Sequence, residues 1–377
     1  MWSYWEHKHL LPKADVFILG EGIVGFSAAI SLKERYPNIR ICIIDGSPIG
    51  QGASTKNAGF ACFGSMTEIL DDLSHANEEV VWEIVKKRWD GLQLLRKRLS
   101  DDAIRFESTG GYELFEKGDN QIFQICADNI PVFNRVMKFL IGQDNIYSIN
   151  DENLNSFGLN NFSHLISNKL EGQLDTGLLY RAFLYKCETL GITNFRGFRV
   201  EEIDWKDESN IILKNDLGWS IDVPRLIIAT NGFTKKLFPE LDIIGARNQV
   251  LVTKPIPNLK IKGSFHFDRG YYYFRDIDGR ILLGGGRNID FQGESTTEFG
   301  TTQIITKALE EFLVNKILMN DRVEVEYWWS GILGIGNEKK PIIRKLNKNL
   351  VLAVRMGGMG VAIGSMVGNE AAQLLID

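Results

Sequence analysis

Two apolar runs without polar alternation, "DVFILG" (15–20) and "IRICIID" (39–45), have the β-branched composition of strands buried on both faces. Between them "GIVGFSAAISLKERYP" (22–37) has helical character and is closed by Pro37, so the start of the chain predicts a βαβ unit. Residues 78–99 set Val81, Val85, Trp89, Leu92, Leu95 and Leu99 on one helical face, with acids early and bases late. The Lys and Arg of that helix are expected to form a solvated face. Further helices are expected near 120–141, 174–190, 301–319 and 360–376, and residues 144–163 read as an Asn-rich loop. Strand-like pieces fall at 110–118, 195–204, 209–214 and 225–229, and "VEVEYWW" (323–329) and "NLVLAV" (349–354) are strands. Residues 247–254, 263–275 and 280–286 alternate in period 2, as antiparallel strands with one wet face do.

With βαβ-type segments at the start, middle and end and antiparallel segments in the gaps, the economical architecture is α/β with α+β insertions. A discontinuous nucleotide-binding domain over 1–80, 165–240 and 322–377 would carry a substrate domain over 81–164 and 241–321. The length of 377 residues suits two such units.

A net charge of −5 argues against nucleic acid as a partner. Cys42, Cys62, Cys126 and Cys187 are widely spaced, with no CxxC or His pair nearby, so neither a metal site nor a disulfide framework is expected. A reducing cytoplasm fits this best. The first sixteen residues lack the apolar core of a secretory signal. The longest apolar run, 16–32, is broken by Glu21 and three glycines and makes a poor membrane span. His75, His164 and His266 fit no triad or metal spacing.

The strongest chemical signal is Gly20-Glu21-Gly22-Ile23-Val24-Gly25, a GxGxxG between strand and helix. Such glycines allow a tight turn, close approach to a pyrophosphate and close helix–strand packing, and the helix N-terminus supplies N–H groups and positive dipole. Asp45, followed by Gly46, lies twenty residues beyond Gly25, where a carboxylate accepts ribose hydroxyls and disfavours a 2′-phosphate. NAD and FAD remain.

The second half separates them. "RLIIATNG" (225–232) and "NLVLAVRMGGMGVAIGSMVGNEAAQLL" (349–375) resemble the ATG motif and the last flavin-contacting motif of the D-amino-acid oxidase, glycine oxidase and sarcosine oxidase superfamily of FAD-dependent oxidoreductases. "DVFILGEGIVGFSAAISL", "IDGSPIGQGAST", "LEGQLDTGLLYRAFLYKCETLGI" and "YYYFRDIDGRILLGGG" follow the family's order, so the resemblance spans nearly the whole chain. It implies a Rossmann-like, glutathione-reductase-like FAD domain with an antiparallel substrate sheet over the flavin. The implied reaction is oxidation of an amine or amino-acid C–N bond by hydride transfer to flavin N5, giving an imine that hydrolyses, with oxygen or a carrier reoxidising the flavin.

By the same resemblance Val200 touches the adenine, Ala229, Thr230 and Gly232 lie near the nucleotide, and Gly357, Gly358, Met359, Gly360 and Val361 approach the flavin. In "GQGASTKNAGFACFGS" (50–65), Ala53, Ser54 and Thr55 would face phosphates and ribityl chain, and Asn57, Ala58, Gly59 and Phe60 the ring. Lys56 either pairs with phosphate or faces solvent. Cys62 reads as an inert small hydrophobe. The glycine-oxidase arginine after the WxG strand is replaced by Leu333, the sarcosine-oxidase lysine by Ala362, and the flavin-anchoring cysteine is missing near Trp329 and Ser330, which implies noncovalent FAD. Arg275 is the first candidate for a substrate-binding cation and Arg355 the second, with Tyr271 or Tyr273 adding a hydroxyl and an aromatic wall. The alternatives are a flavoprotein hydroxylase, whose second flavin motif is missing, a tRNA-modification-type module, and a noncatalytic flavin-binding protein.

Overall fold

The structure is a computed structural model that describes residues 2–205 and 210–376. The βαβ unit forms as expected, with strand Val16–Leu19, helix Ile23–Arg35 and strand Ile41–Asp45. These two strands lie in a six-stranded sheet with, in spatial order, Ile342–Asn347, Leu350–Val354, Leu226–Ile228, Val16–Leu19, Ile41–Asp45 and Thr193–Arg196. All pairings are parallel except that of Ile342–Asn347, which returns antiparallel along the edge. The chain runs outward from Val16–Leu19 to one side and resumes on the other at Leu226–Ile228. The carboxyl ends of these two neighbours therefore flank the crevice where such sheets bind ligands.

Helices Ile23–Arg35 and Gly360–Ile376 pack against each other on one sheet face, and helix Glu78–Leu99 lies across the latter. The other face is covered by the three-stranded sheet of Val200–Asp204, Ile211–Asn215 and Ser220–Val223, through a core containing Phe17, Ile44, Leu213 and Leu352. The strand expected at 209–214 is Ile211–Asn215; residue 209 itself lies outside the described residues. Trp2 closes this layer, its Nε1–H donating to the Ser220 carbonyl at 2.7 Å and its ring 4.5 Å from Trp219.

The second large sheet has eight strands, ordered Val325–Ile335, Ile244–Thr253, Arg280–Gly285, Tyr272–Ile277, Ser264–Phe267, Gly111–Phe115, His164–Asn168 and Tyr147–Ile149. It is mixed rather than wholly antiparallel, because Ser264–Phe267 pairs parallel with Gly111–Phe115.

Four expectations need correction. The segment 144–163 holds a strand, Tyr147–Ile149, and a short helix, Asn153–Phe157. The boundary after residue 80 cuts helix Glu78–Leu99, whose apolar face joins the core of the parallel sheet's helices. The boundary at 322 precedes Val325–Ile335, which pairs with Ile244–Thr253 in the eight-stranded sheet. The basic residues of helix Glu78–Leu99 are not all solvated: the side chains of Arg88 and Arg98 are 3% and 4% exposed, each in an ion pair. Among the described residues no helix is long and apolar enough to cross a membrane.

Candidate active site

At the end of strand Val16–Leu19 the chain turns sharply, with Gly20 at φ 115°. A Cβ there would stand 2.6 Å from the Ala229 carbonyl oxygen, so only glycine lets the two strand ends meet this closely. Helix Ile23–Arg35 then starts with Gly22 as N-cap and no side-chain cap of its own. The missing cap comes from Ser54, whose Oγ accepts the Ile23 N–H at 2.9 Å. One more glycine is required by contact: a Cβ on Gly25 would overlap the Gly20 carbonyl oxygen.

The Asp45 carboxylate accepts the Glu21 and Ser47 N–H groups, each at 2.9 Å, and the Ser47 hydroxyl. Both oxygens are thereby fixed while keeping lone pairs free for hydroxyl donors. Beside it Glu21, 3% exposed, takes a two-pronged ion pair from Arg196 at 2.6 and 2.7 Å.

These parts line a cavity of about 270 Å³. Of the expected residues, Gly20, Gly22, Ile23 and Val24 line it from the first turn, and Asp45 and Gly46 from the second strand's end. Ala53, Ser54 and Asn57 line it from the one-turn helix Ala53–Lys56 and its C-cap. Val200, Ala229, Thr230, Gly358, Gly360 and Val361 complete the expected set on its wall.

The other expected residues stand behind that wall. Gly25 packs beneath the turn, and Thr55 Oγ1 donates to the Gly50 carbonyl at 2.9 Å. The Lys56 carbonyl accepts Trp329 Nε1–H at 2.9 Å. Ala58 and Phe60 pack with Val250, Tyr273 and Trp329, while Gly59 is capped by the Asn57 side chain at 2.9 Å. Gly232 lies under the Leu333 carbonyl, and Gly357 and Met359 form the turn leading into helix Gly360–Ile376.

The cavity also takes in residues that sequence reasoning missed: Leu19, Glu21, Ser47, Gln51, Gly52, Arg199, Glu201, Asn231, Phe233, Lys236, Leu237, Phe299, Ile332 and Met356. Glu21, Ser47, Gln51 and Gly52 sit inside or next to motifs already quoted, so those were findable. Phe299 comes from a loop with no local signal. Leu333, noted for what it replaces, is on the wall.

Neither candidate cation presents a free guanidinium to this space. Arg275 is 4% exposed and donates from Nη1 to the carbonyls of Gly59 at 3.2 Å and Leu174 at 2.8 Å. Burial holds its guanidinium below the usual arginine value. Arg355, with φ 67°, pairs with Asp242 at 2.6 Å and Glu338 at 3.3 Å and donates to the Lys340 carbonyl at 2.8 Å. Arg355 is thus tied to the chain's own acceptors through all three guanidinium nitrogens, and Arg275 through Nη1, while the buried Arg275 Nε has no partner.

The two tyrosines differ. On strand Tyr272–Ile277 the two-residue repeat places Tyr273 on the same face as Arg275, and Tyr271 precedes the strand in the same phase. The Tyr273 hydroxyl accepts Asn248 Nδ2–H at 2.9 Å, and its ring meets Phe60 edge-on at 5.3 Å. Burial pushes its hydroxyl pKa above the usual tyrosine value. Tyr271 is half-buried, with its ring 5.8 Å from Phe291. The Phe291 ring also carries the Arg287 guanidinium, 4.8 Å from its centroid. Burial holds Arg287 below the usual arginine value despite the nearby Tyr271 and Glu294, and Glu294 is already paired with Arg247 at 2.9 Å.

The cavity's donor set fits a flavin dinucleotide: first-turn amides for a pyrophosphate, a fixed carboxylate for ribose hydroxyls, and a second short helix N-terminus at Ala53 opposite the Gly358–Val361 turn. Known proteins agree. Probable oxidoreductase OrdL of Haemophilus influenzae is 20% identical over 97% of this chain and 84% of its own length. L-proline dehydrogenase from P. horikoshii superposes with a TM-score of 0.76 at 17% identity, over 97% of this chain and 94% of that one. Glycine oxidase from Geobacillus kaustophilus does so with a TM-score of 0.74 at 18% identity, over 96% and 94%. At such identities the superpositions establish the fold. The model of the FAD dependent oxidoreductase family, DAO, matches residues 15–374, which include every wall of the cavity just described, and the chain belongs to that family.

Proposed function

We propose that the protein oxidises the C–N bond of an amino acid, with FAD held noncovalently and either oxygen or an electron carrier as the final acceptor. Relatives named for proline and glycine support the substrate class. The observation that carries it is Arg287. Among the described residues this half-buried cation forms no ion pair, and it stands on an aromatic ring next to Tyr271. A desolvated cation without a counterion is costly, and a substrate carboxylate would supply one.

Bound FAD would supply the two-electron acceptor. First-turn amides and Ser54 would hold its phosphates, Asp45 a ribose, and the Gly358–Val361 turn the ring end. The chain's own residues would orient the substrate: Arg287 and Tyr271 at the carboxylate, Tyr273 and Asn248 as a polar edge, and Leu333 as apolar wall. The substrate amine must be neutral when its α C–H bond breaks, and the imine product then takes up water. No Cys, His or Tyr lines the cavity among the described residues, which supports noncovalent binding. Four buried, unpaired thiols are compatible with a reducing cytoplasm.

The test is an anaerobic panel of amino acids and uncharged amines on the yellow holoprotein. Amino acids should bleach the flavin, and Arg287→Ala should raise KM for them at least about tenfold, the loss of one charge-assisted contact. Bleaching by amines alone, or an unchanged KM in Arg287→Ala, would sink this reading.

A further inference from the structure

A second polar cluster lies outside the cofactor cavity. Cys62, Glu171 and His266 bring a thiol, a carboxylate and an imidazole nitrogen within 4.8 Å of one another. Cys62 follows strand Phe60–Ala61, and Glu171 precedes strand Gly172–Gln173. These strands pair antiparallel with Ala61 opposite Gly172, so the two side chains meet at the end of that ladder. His266 comes from the eight-stranded sheet, with its ring 5.2 Å from Phe60. Cys62 is 4% exposed and Glu171 2%.

Two observations point to a missing ligand. His266 Nε2 and Asn168 Nδ2 are both buried without a hydrogen-bond partner, and Asn168 as a whole is only 4% exposed. Both residues line a cavity of about 10 Å³, bounded also by Glu171, Ser65 and Gly111, about the space one water centre takes. Charge makes the same point. Glu68, Glu113 and Glu171 all lie near Tyr147, yet among the described residues the buried cation paired with them is Arg88, 3.2 Å from Glu68.

We propose that Cys62, Glu171 and His266 bind one divalent zinc-class ion, with a water from the small cavity as fourth ligand. One thiolate, one imidazole and one carboxylate form a borderline donor set that suits zinc and disfavours magnesium or calcium, which take oxygen. Tetrahedral zinc separates its sulfur and nitrogen or oxygen ligands by about 3.5 Å, so atoms already within 4.8 Å of one another need to close by no more than about 1.3 Å. On binding, the Cys62 thiol releases its proton to solvent, and thiolate, carboxylate and dication sum to zero charge, which removes the cost of burying either anion alone. One Glu171 oxygen already accepts the Phe63 and Gly64 N–H groups at 2.8 and 3.1 Å, which fixes the carboxylate as a ligand's outer contacts do. The ion would join the segment leaving the cofactor cavity to the eight-stranded sheet.

The holoprotein, stripped with a chelator and incubated with stoichiometric zinc chloride, is passed over a desalting column and assayed for metal and for its zinc-edge X-ray absorption. One zinc per chain with a single sulfur neighbour at about 2.3 Å is expected. Cys62→Ala and Glu171→Gln should each weaken retention at least tenfold, with Cys126→Ser, another buried thiol, unchanged. Should Cys62→Ala fail to fold, the wild-type spectrum and His266→Gln decide. No retained zinc, or a shell without sulfur that these substitutions leave intact, would overturn the site.

Discussion

Arg275 is a buried cation held by the chain's own carbonyls. Its guanidinium ties the Gly59 carbonyl, on the segment leaving the cofactor cavity, to the Leu174 carbonyl at the start of helix Thr176–Thr189. Replacing it with methionine keeps the volume and strands the Leu174 carbonyl, while the Gly59 carbonyl keeps the Leu174 N–H at 2.8 Å. Arg275→Met is therefore expected to cost about 2–4 kcal/mol in urea unfolding, with KM for a good amino acid little changed in the folded fraction. A stable variant with a raised KM would return Arg275 to the substrate. Alternation along "YYYFR" is a local property, and it forms strand Tyr272–Ile277 as the period predicts. It could not place the two carbonyls, which arrive from 216 and 101 residues away. The Cys62, Glu171 and His266 cluster was hidden for the same reason: metal-ligand searches look for short spacings, and these ligands meet only through strand pairing and sheet packing.

At the scale of elements, local pattern was a good guide wherever a strand or helix carried its own period, as in the first βαβ unit or helix Asn120–Ile141. It failed for helix Glu78–Leu99 on the polar side. Lys86 and Lys97 face outward, but Arg98 reaches over helix Ile23–Arg35 to the Ser31 hydroxyl at 2.7 Å, to Glu34 at 2.6 Å and to the Ser27 carbonyl at 3.4 Å. Periodicity assigns a face by hydrophobicity, and a long arginine can lay its stem on apolar surface while its head meets acceptors elsewhere. Arg98→Ala should thus lower stability by about 1–3 kcal/mol, whereas Lys97→Ala on the exposed side should stay within about 0.5 kcal/mol. Equal effects in urea melts would mean that the helix is held by its apolar face alone.

For the whole molecule, the cofactor cavity is where otherwise separate layers converge. The parallel sheet contributes Gly20, Asp45 and Ala229, the three-stranded sheet Val200, the eight-stranded sheet Ile332 and Leu333, and the loop after Gly293 contributes Phe299. A ligand that touches all of them binds only when all are folded, so FAD should stabilise both large sheets together. At FAD about 100-fold above Kd the gain is about 2.7 kcal/mol, a rise in melting temperature of about 3–6 °C for a chain of this size. Flavin-free protein titrated with FAD should melt in one transition that moves upward as a unit. Two transitions with only one shifted would mean that the eight-stranded sheet folds independently of the cofactor. Its wall at Ile332 and Leu333 would then contribute little to holding FAD and would serve chiefly the substrate side.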